Sequence, residues 1–174
     1  MKTLILGGVR SGKSRLAERL AMTAGRPVTY IATASARDDA EMAARIAAHQ
    51  TRRPPGWTLV EEPIALAAAV AAHARSEGCV LVECLTLWLT NLLVADDPAA
   101  LDREQAALLS VLDTAPGELI LVGNETGMGI VPLGELTRRY CDAAGRLHQD
   151  IAARCERVLL TVAGLPLALK GELP

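Results

Sequence analysis

The sequence predicts an α/β fold, a mostly parallel sheet with helices on both faces, on three observations. Short apolar runs at Lys2–Leu6, Val28–Ala32, Val80–Glu83, Glu118–Val122 and Arg157–Val162 alternate with stretches of helical periodicity. The runs lack the polar alternation of a strand with one wet face, as expected for strands covered on both sides. The first run leads directly into Gly7-Gly8-Val9-Arg10-Ser11-Gly12-Lys13-Ser14, which fills every fixed position of G-x-x-x-x-G-K-[ST] in a strand–loop–helix context.

That loop points to a nucleoside triphosphate. Gly7, Gly8 and Gly12 permit positive φ and close backbone approach, so successive N–H groups can curl around a phosphate at a helix N-terminus. Lys13 reaches the β/γ-phosphates, and the Ser14 hydroxyl offers one ligand to Mg²⁺. The fold is thus read as a P-loop nucleotide-binding one.

After the loop, a helix runs from Lys13 to about Ala24 with Leu16, Ala17, Leu20 and Ala21 along its apolar stripe, and Gly25 and Pro27 end it. Val28–Ala32 is the second strand, and Thr33 to Arg37 form the loop at its carboxyl end. Asp38 or Asp39 caps the next helix, on which Glu41, Arg45 and His49 share one face, and Pro54-Pro55-Gly56 stops it. Trp57–Val60 is a short extended piece before Glu61 and Glu62. An Ala-rich helix follows from Ile64 to about Arg75, then the strand Val80–Glu83. Leu85–Val94 is apolar enough for a helix buried in the fold or against another subunit. A helix to about Asp113 opens at Asp96-Asp97-Pro98, and Pro116-Gly117 is the turn into the strand Glu118–Val122. A glycine-rich loop with one acid, Glu125, leads to a helix from Leu133 to about Arg154, the last strand Arg157–Val162 and a short tail. No repeat or linker divides the 174 residues, so one domain is expected.

Composition narrows the partners. A net charge of −2 and only Trp57, Trp88, Tyr30 and Tyr140 as aromatics exclude a nucleic-acid surface built on phosphate contacts and base stacking. Cys79, Cys84, Cys141 and Cys155 form no C-x-x-C pair and read as reduced thiols in a cytoplasmic protein. The chain starts in a strand, so no signal peptide is expected, and charges or prolines break every apolar run short of a membrane span.

In an open α/β sheet the ligand lies beyond the carboxyl ends of the strands, so loops 7–14, 33–37, 83–91 and 123–132 should converge on the triphosphate. Glu83 ends a buried strand and is the second candidate Mg²⁺ ligand beside Ser14; Glu125 is another acid in the same region. His49 lies near the end of a polar helical face, where an imidazole is as readily a surface group, and Arg52 and Arg53 follow it. His73 and His148 have weaker claims.

Seven segments together resemble one family. They are Gly7–Ser14, Tyr30–Thr33, Glu41–Ile46 with His49, Trp57, Leu85–Leu93, Asn124–Pro132 and Ala163–Leu167. The chain resembles, along nearly its whole length, the bifunctional adenosylcobinamide kinase/adenosylcobinamide-phosphate guanylyltransferases of cobalamin biosynthesis. The resemblance implies a RecA-like sheet, a homotrimer and two reactions. The first moves the γ-phosphoryl group of ATP or GTP onto the aminopropanol hydroxyl of adenosylcobinamide. The second transfers GMP from GTP to that phosphate, with the GMP carried on a histidine that maps to His49. It also implies nucleotide contacts by Gly7, Gly8, Val9, Arg10, Ser11, Gly12, Lys13 and Ser14, by Ala32, Thr33 and Ala34, by Gln50, Thr51, Arg52 and Arg53, and by Glu61 and Glu83. Lys13 and His49 are the expected catalytic residues. Glu83 stands where many members carry Asp, and His148 replaces a common Asn after a turn at Gly145. Two other readings compete: a P-loop small-molecule kinase with one activity, and a non-catalytic nucleotide-dependent switch.

Overall fold

The structure is a computed structural model that describes residues 1–34, 47 and 54–174. The strands are β1 (Lys2–Gly7), β2 (Val28–Ala32), β3 (Thr58–Glu61), β4 (Cys79–Glu83), β5 (Glu118–Asn124), β6 (Arg157–Val162) and β7 (Leu165–Lys170). The described helices are α1 (Lys13–Thr23), α2 (Leu66–His73), α3 (Leu85–Leu93), α4 (Ala100–Thr114) and α5 (Glu135–Arg154).

These strands form one seven-stranded sheet in the order β3-β2-β4-β5-β1-β6-β7. Neighbours from β3 through β6 run parallel, and β7 turns back antiparallel against β6. The mostly parallel α/β fold is therefore present, with β5 inserted between the strand that feeds the phosphate loop and the strand that ends in Glu83. The sequence reading takes 164–174 for a tail and counts the 57–60 piece only as extended. Both are strands, and both are sheet edges, where burial on two faces is not required. Pro166 is tolerated in β7 because an edge strand need not donate to a further neighbour.

Period-two geometry sends alternate residues of each strand into two aliphatic cores. Ile5, Leu81, Ile120, Val122 and Leu159 pack against Leu16, Ala17, Leu20 and Ala21 of α1. On the other face Leu4, Leu6, Val80, Val82, Leu119 and Leu121 pack against the remaining described helices. The apolar 85–94 stretch is buried inside the chain as α3, with Leu85, Trp88, Leu89 and Leu92 almost fully enclosed. The four cysteines are free thiols, and Cys79 and Cys155 are buried in the sheet region. Burial pushes both of these thiols up to about 12.

Local chemistry sets the element ends. Gly25 at φ 64° closes α1 as a left-handed residue after the last turn. Glu62 accepts N–H bonds from Ile64 (2.9 Å) and Ala65 (2.7 Å), satisfying amides just ahead of α2. Asp97 accepts the Ala99 N–H at 3.0 Å before α4. Gly145, expected at a turn, lies inside α5, which runs unbroken for 20 residues.

Trp88 is the largest side chain in the core, fully enclosed, and its indole N–H donates to the Ile64 carbonyl at 2.7 Å. Trp88→Ala is expected to lower unfolding free energy by roughly 3–5 kcal/mol in urea titrations. Trp88→Phe should cost less, since it loses mainly the hydrogen bond. Equal stability of Trp88→Ala and wild type would contradict this packing.

Candidate active site

The phosphate loop is shaped by close backbone approach. Gly7 has φ 154°, and a Cβ there would stand 2.4 Å from the Thr161 carbonyl oxygen. Gly12 has φ 101°, with the Gly164 Cα 3.1 Å from where its Cβ would be. Only glycine fits either position without displacing backbone. Arg10 also takes a left-handed φ of 56°, a conformation that non-glycine residues adopt sparingly. The turn joining β6 to β7 braces the loop from the side, since the Gly164 N–H donates to the Ser11 carbonyl at 2.9 Å. The Ala163–Leu167 segment thus carries a structural task at the site rather than belonging to a loose tail.

Lys13 is buried, and its ammonium donates to the Gly8 carbonyl at 2.7 Å, which holds it folded over the loop. Burial pulls its pKa below the ordinary lysine value, and the carboxylate of Glu83 partly offsets this. Ser14, one residue on, donates its hydroxyl to Glu83 Oε1 at 2.7 Å. The two residues expected to share a metal therefore meet.

Strand register explains how. Ala32 pairs with Glu61 on β3 and with Glu83 on β4, so Glu61, Ala32 and Glu83 lie in one row at the carboxyl edge. Gly7 pairs with Asn124 and with Thr161 just beyond that row. The peptide between Glu83 and Cys84 is cis. Thr33 is fully buried; its hydroxyl donates to the Cys84 carbonyl at 2.7 Å and accepts the Cys84 N–H at 2.8 Å. Asn91, the one amide in the apolar α3, donates to the Thr33 carbonyl at 2.9 Å and the Pro63 carbonyl at 3.1 Å. This stitching fixes the ends of β2 and β4 beside the phosphate loop.

Glu125 lies at the mouth of the site. Its N–H donates to the Gly7 carbonyl at 3.0 Å, and its Oε2 is 4.0 Å from His148 Nδ1 on α5. Among the described residues no group of three or more His, Cys, Asp or Glu is arranged as a preformed metal cluster. The carboxyl-edge geometry is that of a nucleotide-binding cleft in a P-loop sheet.

A family model described as CobU, cobinamide kinase/cobinamide phosphate guanyltransferase, matches residues 3–169. The chain belongs to that family. It is 64% identical over 172 residues to the bifunctional adenosylcobalamin biosynthesis protein CobP of Pseudomonas aeruginosa, covering 99% of each chain. It is 40% identical over 183 residues to the corresponding protein CobU of Salmonella typhimurium, covering 98% of this chain and 100% of that one. Two solved structures show the fold alone. One is the RadB recombinase, with TM-score 0.51 and 16% identity over 91% of this chain and 73% of that one. The other is the PH0250 protein of Pyrococcus horikoshii, with TM-score 0.57 and 7% identity over 99% and 87%.

Of the expected site residues of this CobU-family chain, Gly7–Ser14, Ala32–Ala34, Glu61 and Glu83 gather along the carboxyl edge of the sheet. His49, Gln50, Thr51, Arg52 and Arg53, with the helix expected over 38–53 except Ala47, lie outside the described residues. His73 ends α2 and faces the pocket at Cys79, the start of β4, so it is remote from the carboxyl edge. Sequence reasoning missed Asn91, Thr33 as a backbone clasp, Thr86 (whose hydroxyl accepts the Asn124 N–H at 2.7 Å) and Gly164. The available signal was Asn91, the one amide side chain in a mostly apolar helix, a position that requires a buried partner.

Two outcomes follow from this geometry. Gly7→Ala should lose stability by at least the roughly 1–3 kcal/mol of backbone strain and bind GTP more weakly, read by denaturant unfolding and calorimetry. Wild-type values in both would contradict the close approach. His148, by contrast, reports on acid. Burial holds its imidazole below the ordinary value, partly opposed by Glu125. The unfolded chain therefore binds this proton first as pH falls, and stability drops on acidification below about pH 6.5. His148→Gln should flatten that part of the stability curve in urea titrations; an unaltered slope would contradict it.

Proposed function

We propose that this chain is a bifunctional enzyme that phosphorylates adenosylcobinamide with ATP or GTP and then transfers GMP from GTP to the product, giving adenosylcobinamide-GDP. The observation that carries this reading is a P-loop complete with Lys13 and the Ser14–Glu83 pair in a chain matching the family from residue 3 to 169. The 174 residues act as one catalytic domain.

In the first reaction the amides of Gly7–Ser14 and the ammonium of Lys13 cradle the triphosphate tail and hold charge that develops on the departing diphosphate. Ser14 and Glu83 would hold Mg²⁺: a hydroxyl and a carboxylate oxygen 2.7 Å apart are the hard oxygen donors that ion prefers. Bound there, the ion neutralises phosphate charge. Ala32–Ala34 and Glu61 border the same edge and contribute nucleotide contacts.

In the second reaction the neutral imidazole of His49 attacks the α-phosphorus of GTP, forming a P–N bond while the bond to pyrophosphate breaks. The phosphate of adenosylcobinamide phosphate then displaces the imidazole, and GMP passes to the corrinoid. In-line attack requires the imidazole nitrogen within about 3–3.5 Å of the α-phosphorus in the reactive complex. Gln50, Thr51, Arg52 and Arg53 follow His49 in sequence and supply polar and cationic contacts to the same nucleotide. The enzyme works in the cytoplasm as a homotrimer. Among the described residues no helix is long and apolar enough to cross a membrane.

Incubation with α-labelled GTP and Mg²⁺ should leave an acid-labile, base-stable label on the protein. His49→Ala should abolish both label and guanylyl transfer while keeping measurable kinase activity. Persistence of the label in His49→Ala would defeat the role of that residue. Absence of label in an active wild-type kinase would favour a single-activity enzyme.

A further inference from the structure

The loop after β5 presents a carboxylate that the two proposed reactions leave without a task. Glu125 is fixed to the first residue of the phosphate loop, because its N–H donates to the Gly7 carbonyl at 3.0 Å. The preceding residue is tied to α3 by the bond from the Asn124 N–H to Thr86 Oγ1 at 2.7 Å. Since β5 lies between β1 and β4, Glu125 stands at the carboxyl edge between the phosphate loop and the strand of Glu83.

Its side chain is aimed from two sides. Oε1 accepts the Gly127 N–H at 2.6 Å, and Oε2 lies 4.0 Å from His148 Nδ1. At that separation there is no direct hydrogen bond, and the enclosed ring walls one side of the carboxylate. His148 itself is enclosed, and Gly123 makes room for it: a Cβ at Gly123 would stand 3.0 Å from Nε2. Among the described residues no lysine or arginine pairs with Glu125, and its side chain keeps 22% of its surface open at the cleft. Glu83, by contrast, is engaged with Ser14. The sheet edge thus carries two acids with separate surroundings, one facing the hydroxyl of the phosphate loop and one partly open to solvent.

We propose that Glu125 is the general base of the phosphoryl-transfer reaction, accepting the proton of the acceptor hydroxyl, and that His148 is a positioning residue that holds its carboxylate. The step balances. The hydroxyl oxygen bonds to the γ-phosphorus as the bridge to the β-phosphate breaks, and the bridging electrons leave with the nucleoside diphosphate. The hydroxyl proton passes to Glu125 and then to water. The guanylyl acceptor is a phosphate, already anionic, and needs no such base. The two half-reactions should therefore respond differently to loss of this carboxylate.

This inference rests on the kinase reading above, and wild-type protein separates the two: failure to phosphorylate adenosylcobinamide defeats that reading, whatever Glu125 does. In an active wild-type background, both half-reactions are measured in Glu125→Gln, the second with adenosylcobinamide phosphate supplied. The kinase kcat should fall by about 10²–10⁴-fold, with guanylyl transfer reduced far less. His148→Gln should lower the kinase kcat with little change in the nucleotide KM. If Glu125→Gln proves unstable, Glu125→Asp, which keeps the charge but shortens the reach, should show the same selective loss. Kinase turnover at the wild-type rate in Glu125→Gln, or equal loss of both reactions, would overturn the assignment.

Discussion

The loop from Gly7 to Ser14 keeps its shape because backbone meets backbone there with no side chain between. Thr161 closes on Gly7, Gly164 closes on Gly12, and the Gly164 N–H takes the Ser11 carbonyl. Within the loop the Ser11 N–H donates to the Gly8 carbonyl at 3.2 Å, but amides that turn toward an anion cannot also hold the loop together. Its rigidity has to come from neighbours, and the neighbours here are the far ends of β5, β6 and the β6–β7 turn. The seven-stranded sheet is, from this viewpoint, a mount for eight residues.

Strand order then distributes chemistry along the mount. With β5 between β1 and β4, Glu83 reaches Ser14 from one strand away while Glu125 rises from the strand between them. Parallel pairing makes every one of these side chains leave the sheet at the same edge. Thr33 and Asn91 lock that edge with buried hydrogen bonds that leave little slack for the strand ends to drift. Bonds of this kind are costly to leave unmade in a dry interior, so they position the site as well as stabilise it.

How much of this is legible in the chain depends on the kind of signal. Glycines that need positive φ, an apolar run before them and a helical stripe after them announce the phosphate loop outright. The Ser14–Glu83 meeting follows from a carboxylate at a strand end, though register, not sequence, proves it. The last strand is harder to see, because Leu165, Leu167 and Leu169 alternate as a strand should but Pro166 argues for a tail. Gly145 misleads in the other direction: a glycine that suggests a turn sits inside a helix held by tertiary packing. His148 looks like a generic helical residue until α5 docks and buries it against Gly123. Long-range contacts of that kind leave no local trace.

The account stands on phosphate being gripped by the amides of residues 7–14. Hydrogen–deuterium exchange of the full chain with and without GTP and Mg²⁺ tests this directly. The account predicts slowed exchange on nucleotide addition at the amides from Gly8 to Ser14, beyond any change around His73 at the opposite edge of the sheet. Unchanged exchange across that loop at saturating nucleotide would contradict it.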